Sequence, residues 1–154
     1  MLRCGCVHGC LGKELPCTVA LEYCKRGKFK RHFYPQVGEL EDSGEEYQCA
    51  QQLDIMPEMG YWVRNIARKP EASFWLQTAD DKFYPDFVAK LKDGRYLVVE
   101  YKNATDWSND DSREKRMLGE LWAARSEGSC LFIMPKGQDW AARTALVNKQ
   151  WRRG

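Results

Sequence analysis

The longest concentration of strand-forming residues runs from Phe83 to Lys102. β-Branched and aromatic residues fill both halves and Asp93-Gly94 punctuates the middle, which predicts two strands joined by a tight turn. Gly60–Arg68 and Ser73–Thr78 alternate as two further strands around the turn Arg68-Lys69-Pro70-Glu71. The apolar run Ser129–Met134 predicts a strand buried on both faces and ended by Pro135. A period near 3.6 predicts helices over Glu45–Ile55 (stripe Tyr47, Ala50 and Leu53, with Cys49 at its edge), Asp110–Ser126 (Leu118, Leu121, Trp122 and Arg125) and Gln138–Trp151 (Trp140, Ala141, Thr144, Ala145, Val147 and Asn148). Ser43 caps the first of these, with Glu46 at capping-box spacing; Ser108, Asn109 or Asp110 caps the second. Gly119, inside that second helix, marks close packing. A short helix over Thr18–Lys25 and an extended piece at His32–Tyr34 precede them. This order predicts an α/β sandwich, a central mixed β-sheet flanked by helices.

The turn decides the chemistry. Glu100 and Lys102 are two apart, so on a strand they share a face. A two-residue Asp93-Gly94 loop sets Asp86 opposite Tyr101 and sends Glu100 to the other side. A three-residue loop, Lys92-Asp93-Gly94 with a left-handed Gly94, sets Asp86 opposite Glu100 and Tyr84 opposite Lys102. We take the second. It brings two carboxylates to within roughly 5 Å at Cβ, with an ammonium group beside them.

Carboxylates that close repel unless a cation or a shared proton relieves them. Oxygen donors suit a hard ion such as Mg²⁺, with Mn²⁺ as a substitute, held through one or two carboxylates plus waters and phosphate oxygens. Lys102 can then stabilise developing negative charge or help deprotonate an attacking water. A bare Glu-x-Lys on a solvated hairpin would say little; Pro85-Asp86, the glycine turn and Glu100-Tyr101-Lys102 together are more specific. Glu46 is either a further acidic contributor, with Glu45 as the fallback, or a capping glutamate. Lys115 either binds the scissile or an adjacent phosphate or pairs with Asp111. Arg64 and Asn65 are candidates for the phosphate backbone.

At Pro85-Asp86 and Glu100-Tyr101-Lys102 the chain resembles the PD-(D/E)xK nuclease superfamily. With Tyr61-Trp62-Val63-Arg64-Asn65, Ser73-Phe74-Trp75-Leu76, Asp93-Gly94-Arg95 and Glu114-Lys115 followed by Gly119 and Trp122, it resembles one subfamily. That subfamily is the C-terminal nuclease domain of type III-like restriction subunits and related restriction helicases. The resemblance covers about residues 28 to 136 and departs at Asn103, where the pattern has glycine. It implies a restriction-endonuclease-like sandwich and Mg²⁺-dependent hydrolysis of double-stranded DNA. Asp86 and Glu100 would bind metal, with the carbonyl of Tyr101 as a further ligand, and Lys102 and Glu46 would complete the catalytic set. It also implies partners: an ATP-dependent helicase or translocase module and a DNA-modification subunit that chooses the sequence. The chain itself has no Gly-x₄-Gly-Lys-Ser/Thr phosphate loop. A catalytically silent DNA-binding or assembly module, and a junction resolvase or repair nuclease of the same fold, are the alternatives.

Composition adds boundaries. With 154 residues there is room for one domain of ordinary size, placed at 28–151, after a cysteine-rich leader at 1–27. A net charge of +2 does not by itself imply nucleic acid, but residues 41–60 hold six acidic residues and no basic one, and residues 24–31 hold five basic ones. Cys4, Cys6, His8, Cys10 and Cys17 are zinc-type ligands at unusual spacing; the other reading is a frayed leader or the end of a longer polypeptide. No apolar run suits a membrane span or a signal peptide, so a cytoplasmic protein with its seven cysteines reduced is expected.

Overall fold

Strand β6 (Phe87–Leu91) is the axis of the central sheet, antiparallel to β3 (Met59–Arg64) on one side and to β7 (Tyr96–Val99) on the other. Strand β8 (Cys130–Ile133) adds to β7 in parallel, giving a mixed four-stranded sheet of order β3-β6-β7-β8. The computed structural model describes residues 29–34, 40 and 44–148, together with two short segments, Cys24–Lys25 and Val37–Gly38. Those segments are β1 and β2, paired antiparallel; β4 (Leu76–Gln77) and β5 (Lys82–Phe83) form a second small sheet. Three helices lie among the described residues: α1 (Glu45–Ile55), α2 (Asp110–Ala124) and α3 (Ala141–Asn148). None is long and apolar enough to cross a membrane.

The β6–β7 turn is the three-residue one. Leu91 N–H donates to the Arg95 carbonyl at 2.9 Å, Gly94 N–H donates to the Leu91 carbonyl at 3.0 Å, and Gly94 sits at φ 92°. Only glycine takes that conformation without a Cβ penalty. The ladder therefore pairs Phe87 with Val99, Val88 with Val98, Ala89 with Leu97 and Lys90 with Tyr96. Arg95 is buried behind the turn, where its guanidinium meets Asp93 at 2.7 Å and donates to the Val147 carbonyl at 2.6 Å.

Period-two alternation makes two cores. Phe87, Ala89, Leu91, Leu97 and Val99 pack with Trp62, Cys49, Ala50 and Leu53 of α1 and Val147 of α3. Val63, Val88, Val98 and Phe132 pack with Trp122 of α2, with Phe74, and with Leu76 and Phe83 from the small sheet. Helices thus cover both faces. The parallel β7–β8 pair needs a crossover, and α2 provides it. Asn109 caps α2, its side chain accepting from Ser112 N–H at 2.7 Å.

Several expectations are corrected. Residues 18–23 of the short predicted helix lie outside the described residues, and its last two, Cys24–Lys25, are strand. The N-cap of helix α1 is Gly44, with no side-chain cap; Ser43, the expected cap, lies outside the described residues. Ser73–Thr78 yields only two residues of strand, paired with Lys82–Phe83, so the main hairpin arm begins at Phe87 and not at Phe83. Strand β8 lies at the sheet edge, where Leu131 and Ile133 are only partly covered and Phe132 alone is buried.

The packed faces of two helices also shift. On α2, Ser112, Gly119 and Trp122 are buried, while Leu121 is 45% exposed and Arg125 is exposed. Gly119 sets that face: a Cβ there would lie 2.5 Å from the Phe132 ring, so the helix rests on the ring at a glycine. On α3, Arg143 and Val147 face inward and Ala141, Thr144, Ala145 and Asn148 face water. The tail to Trp151 and the cysteine and histidine positions 4–17 lie outside the described residues.

Candidate active site

Asp86 and Glu100 are the next residues out from the last ladder pair, Phe87 with Val99, so their side chains leave neighbouring strands at the same end of the sheet. Glu100 is buried and Asp86 half-buried. Glu100 N–H still donates to the Ile133 carbonyl of β8 at 3.1 Å. Asp86 is preceded by Pro85, which has no N–H to extend the ladder. Its segment is held by Asn65 instead. Asn65 N–H donates to the Asp86 carbonyl at 2.8 Å, and Nδ2 donates to the Pro85 and Phe74 carbonyls, both at 2.8 Å. Oδ1 accepts from Phe74 N–H at 3.0 Å. The Asn65 side chain, expected on the phosphate backbone, is instead a clamp on the loop that carries Asp86.

Tyr101 joins three parts of the site. Its backbone N–H donates to Asp86 Oδ2 at 2.7 Å, and its hydroxyl donates to Glu45 Oε2 on α1 at 2.5 Å. Glu45, the fallback acid, is thus engaged by a phenol. Lys102 Nζ lies 3.3 Å from Glu100 Oε1, as the Glu-x-Lys spacing predicts, and its backbone makes an isolated parallel bridge to Lys136. Glu46 and Arg64 pair with each other, Oε1 to Nε at 2.9 Å. Both act on the Asp86 carboxylate, Glu46 raising its pKa and Arg64 lowering it. Lys115 pairs with Asp111 at 2.7 Å, the alternative expected for it, yet its charge also favours ionised Glu100. Asp86, Glu100, Lys102, Glu46, Arg64 and Lys115 therefore form one electrostatic cluster, drawn from β3, α1, α2 and the residues just outside β6 and β7.

Both central carboxyls are held above the ordinary carboxylate range. For Asp86 the main cause is loss of hydration, opposed by the Tyr101 N–H and reinforced by Glu46; Lys102 and Arg64 pull it back. For Glu100 it is again loss of hydration, then the neighbouring Asp86 charge; Lys102 and Lys115 oppose. Burial and like charge together outweigh the nearby cations. Glu100 Oε2 is buried with no hydrogen-bond partner among the described residues.

These features fit a hard divalent cation. An orphaned carboxylate oxygen and a second carboxylate whose charge it feels make an oxygen-only donor pair, and Mg²⁺ is commonly held by one or two carboxylates with water and phosphate oxygens. Among the described residues no group of three or more His, Cys, Asp and Glu side chains gathers to hold a metal ion, so a site here would be of that two-carboxylate kind.

Sequence reasoning passed over the Tyr101–Glu45 hydrogen bond and the Asn65 clamp. The first joins residues 56 apart along the chain, which no local pattern marks; Asn65 stood out only as a polar residue at a strand end. No family model, no curated protein and no solved structure matches the chain.

Proposed function

We propose that the chain is a Mg²⁺-dependent endonuclease domain of the PD-(D/E)xK kind, with a restriction-endonuclease-like sandwich fold, hydrolysing phosphodiester bonds of double-stranded DNA. The observation that carries this reading is that Asp86 and Glu100 leave neighbouring strands at the same end of the sheet, Glu100 with a buried oxygen that has no hydrogen-bond partner among the described residues and with Lys102 Nζ 3.3 Å from its other oxygen. Burial raises both carboxyls, and the Asp86 charge raises Glu100 further. An acidic pair kept partly dehydrated beside a lysine is costly to a fold and suited to a cation-assisted hydrolysis. The mixed sheet with helices on both faces, and the order of the motifs along it, support the same reading.

Asp86, Glu100 and the Tyr101 carbonyl would hold the cation, which when bound supplies a polarised phosphoryl oxygen and a more acidic water. Asp86 is oriented for this by the Tyr101 N–H and by the Asn65 clamp. Lys102 Nζ, tethered by Glu100, stabilises negative charge on the phosphoryl oxygens or orients the attacking water. Glu46, through Arg64, adjusts the charge felt by Asp86 from the edge of the site. Arg64 and Lys115 would sit along the phosphate backbone. Within a type III-like restriction system, an ATP-driven translocase and a modification subunit would bring DNA to this domain and choose the sequence.

Incubating supercoiled plasmid with the purified chain tests the reading. Nicked and linear DNA with Mg²⁺, and none with a chelator, is expected; equal cutting under both conditions excludes the proposed chemistry.

A further inference from the structure

A pocket of about 410 Å³ is lined by Ala67, Arg68, Asp81, Lys82, Phe83, Tyr84 and Lys115. Two of its residues place it beside the cluster. Tyr84 is two residues before Asp86, and the charge of Lys115 reaches Glu100. Three of these side chains are cationic and one is acidic. Arg68 and Lys82 make no ion pair among the described residues; Lys82 lies over the Trp75 ring, 5.1 Å from its centroid. Lys115 lies over the Phe83 ring at 5.6 Å, and the half-buried Tyr84 also lines the pocket. Arg68 holds a left-handed backbone, φ 62°, a conformation that costs a residue with a Cβ and here sits on the pocket rim.

A pocket of this size does not enclose a duplex and falls in the range of small-ligand sites. Cations set beside an aromatic ring are the means by which proteins hold a single-stranded nucleotide: charge tracks the phosphate and the ring stacks on the base. We infer that this pocket takes an unpaired nucleotide of the DNA strand next to the phosphate addressed by Asp86 and Glu100. Within duplex DNA the nucleotide at the cut must then be unpaired and unstacked before it enters, so a duplex already distorted there is the preferred substrate. Arg68 and Lys82 hold phosphates, and Tyr84 stacks on the base. The inference rests on the nuclease reading for the position of the scissile phosphate, but not for the binding itself.

Fluorescence anisotropy with the full chain in chelator tests it, with three probes: a labelled 12-nucleotide oligothymidylate, a matched duplex of the same length, and free thymidine monophosphate as competitor. The oligonucleotide should bind at least about ten-fold tighter than the duplex. Tyr84→Ala should weaken oligonucleotide binding by about five-fold or more, as expected for loss of one stacked base, and Tyr84→Phe should bind like the wild type. The double change Arg68→Ala with Lys82→Ala should also flatten the dependence of log K on log salt, by about 0.7 for each phosphate no longer neutralised. Equal or tighter binding of duplex, an unchanged salt slope, or no displacement by free monophosphate in large excess would overturn the inference. Cleavage is absent from this assay, so the two readings fail separately. Single-strand preference without any nicking would count against the nuclease alone, and nicking with tighter duplex binding against the pocket alone.

Discussion

The main-chain N–H of Tyr101 donates to Asp86 Oδ2 at 2.7 Å, across two strands that have just stopped pairing. The ladder's next link is thus made by a carboxylate. This bond opposes the dehydration that raises the Asp86 pKa, and it fixes one oxygen of the side chain.

Asp86→Asn keeps an acceptor for Tyr101 N–H and removes the charge, whereas Asp86→Ala removes both. Leaving that N–H without its partner costs about 1–3 kcal/mol. Thermal unfolding in chelator should therefore show Asp86→Asn at least as stable as wild type and Asp86→Ala below it. Both should lose cleavage. An alanine variant as stable as the asparagine one would mean that the bond carries no weight.

Glu100 gives the pH prediction. Its folded-state pKa lies above the unfolded value, so the folded state binds more protons than the unfolded state over that interval. Stability from this group is greatest below the ordinary glutamate pKa and is lost as pH rises through the folded value. Glu100→Gln removes the effect. In chelator its melting temperature should match wild type near pH 4.5 and exceed it increasingly toward pH 8, at about 2–4 °C per kcal/mol for a chain of this size. A gap that closes with rising pH would show that Glu100 is stabilised as an anion.

Asn65→Ala deletes the three side-chain hydrogen bonds that fasten Phe74 and Pro85. A loss of about 2–3 kcal/mol is expected in denaturant unfolding. Cleavage should fall further than stability accounts for, because the loop carrying Asp86 is released. Unchanged cleavage at a temperature where the variant is folded would dismiss the clamp as a positioning element.

Gly119→Ala places a Cβ 2.5 Å from the Phe132 ring. Overpacking of this kind costs about 1–3 kcal/mol. Adding Phe132→Leu should recover part of the loss, which a double-mutant cycle measures. A strictly additive pair would argue that α2 does not rest on Phe132.

The parts legible from sequence are those with a local cause. Gly94 suits the last position of a three-residue turn, that turn determines the register, and the register puts Asp86 and Glu100 one step beyond the same pair. The Lys102–Glu100 contact follows from strand spacing alone. Illegible were features set by distant partners. Leu131 and Ile133 read as buried on apolarity, but β8 is an edge strand, and no residue in it encodes its place in the sheet. Helix α3 keeps Val147 inward as its period predicts, but its other inward position is Arg143, a residue no apolar period selects. Glu46 and Arg64, read separately as metal and DNA contacts, meet each other across 18 residues of sequence.

One measurement bears on the proposed chemistry most directly: nicking of supercoiled plasmid in Mg²⁺ by wild type, Asp86→Asn and Lys102→Ala, each confirmed folded by its thermal transition. Conversion to nicked circles by wild type alone, abolished by chelator, is the predicted result. Conversion at the wild-type rate by either variant would contradict it.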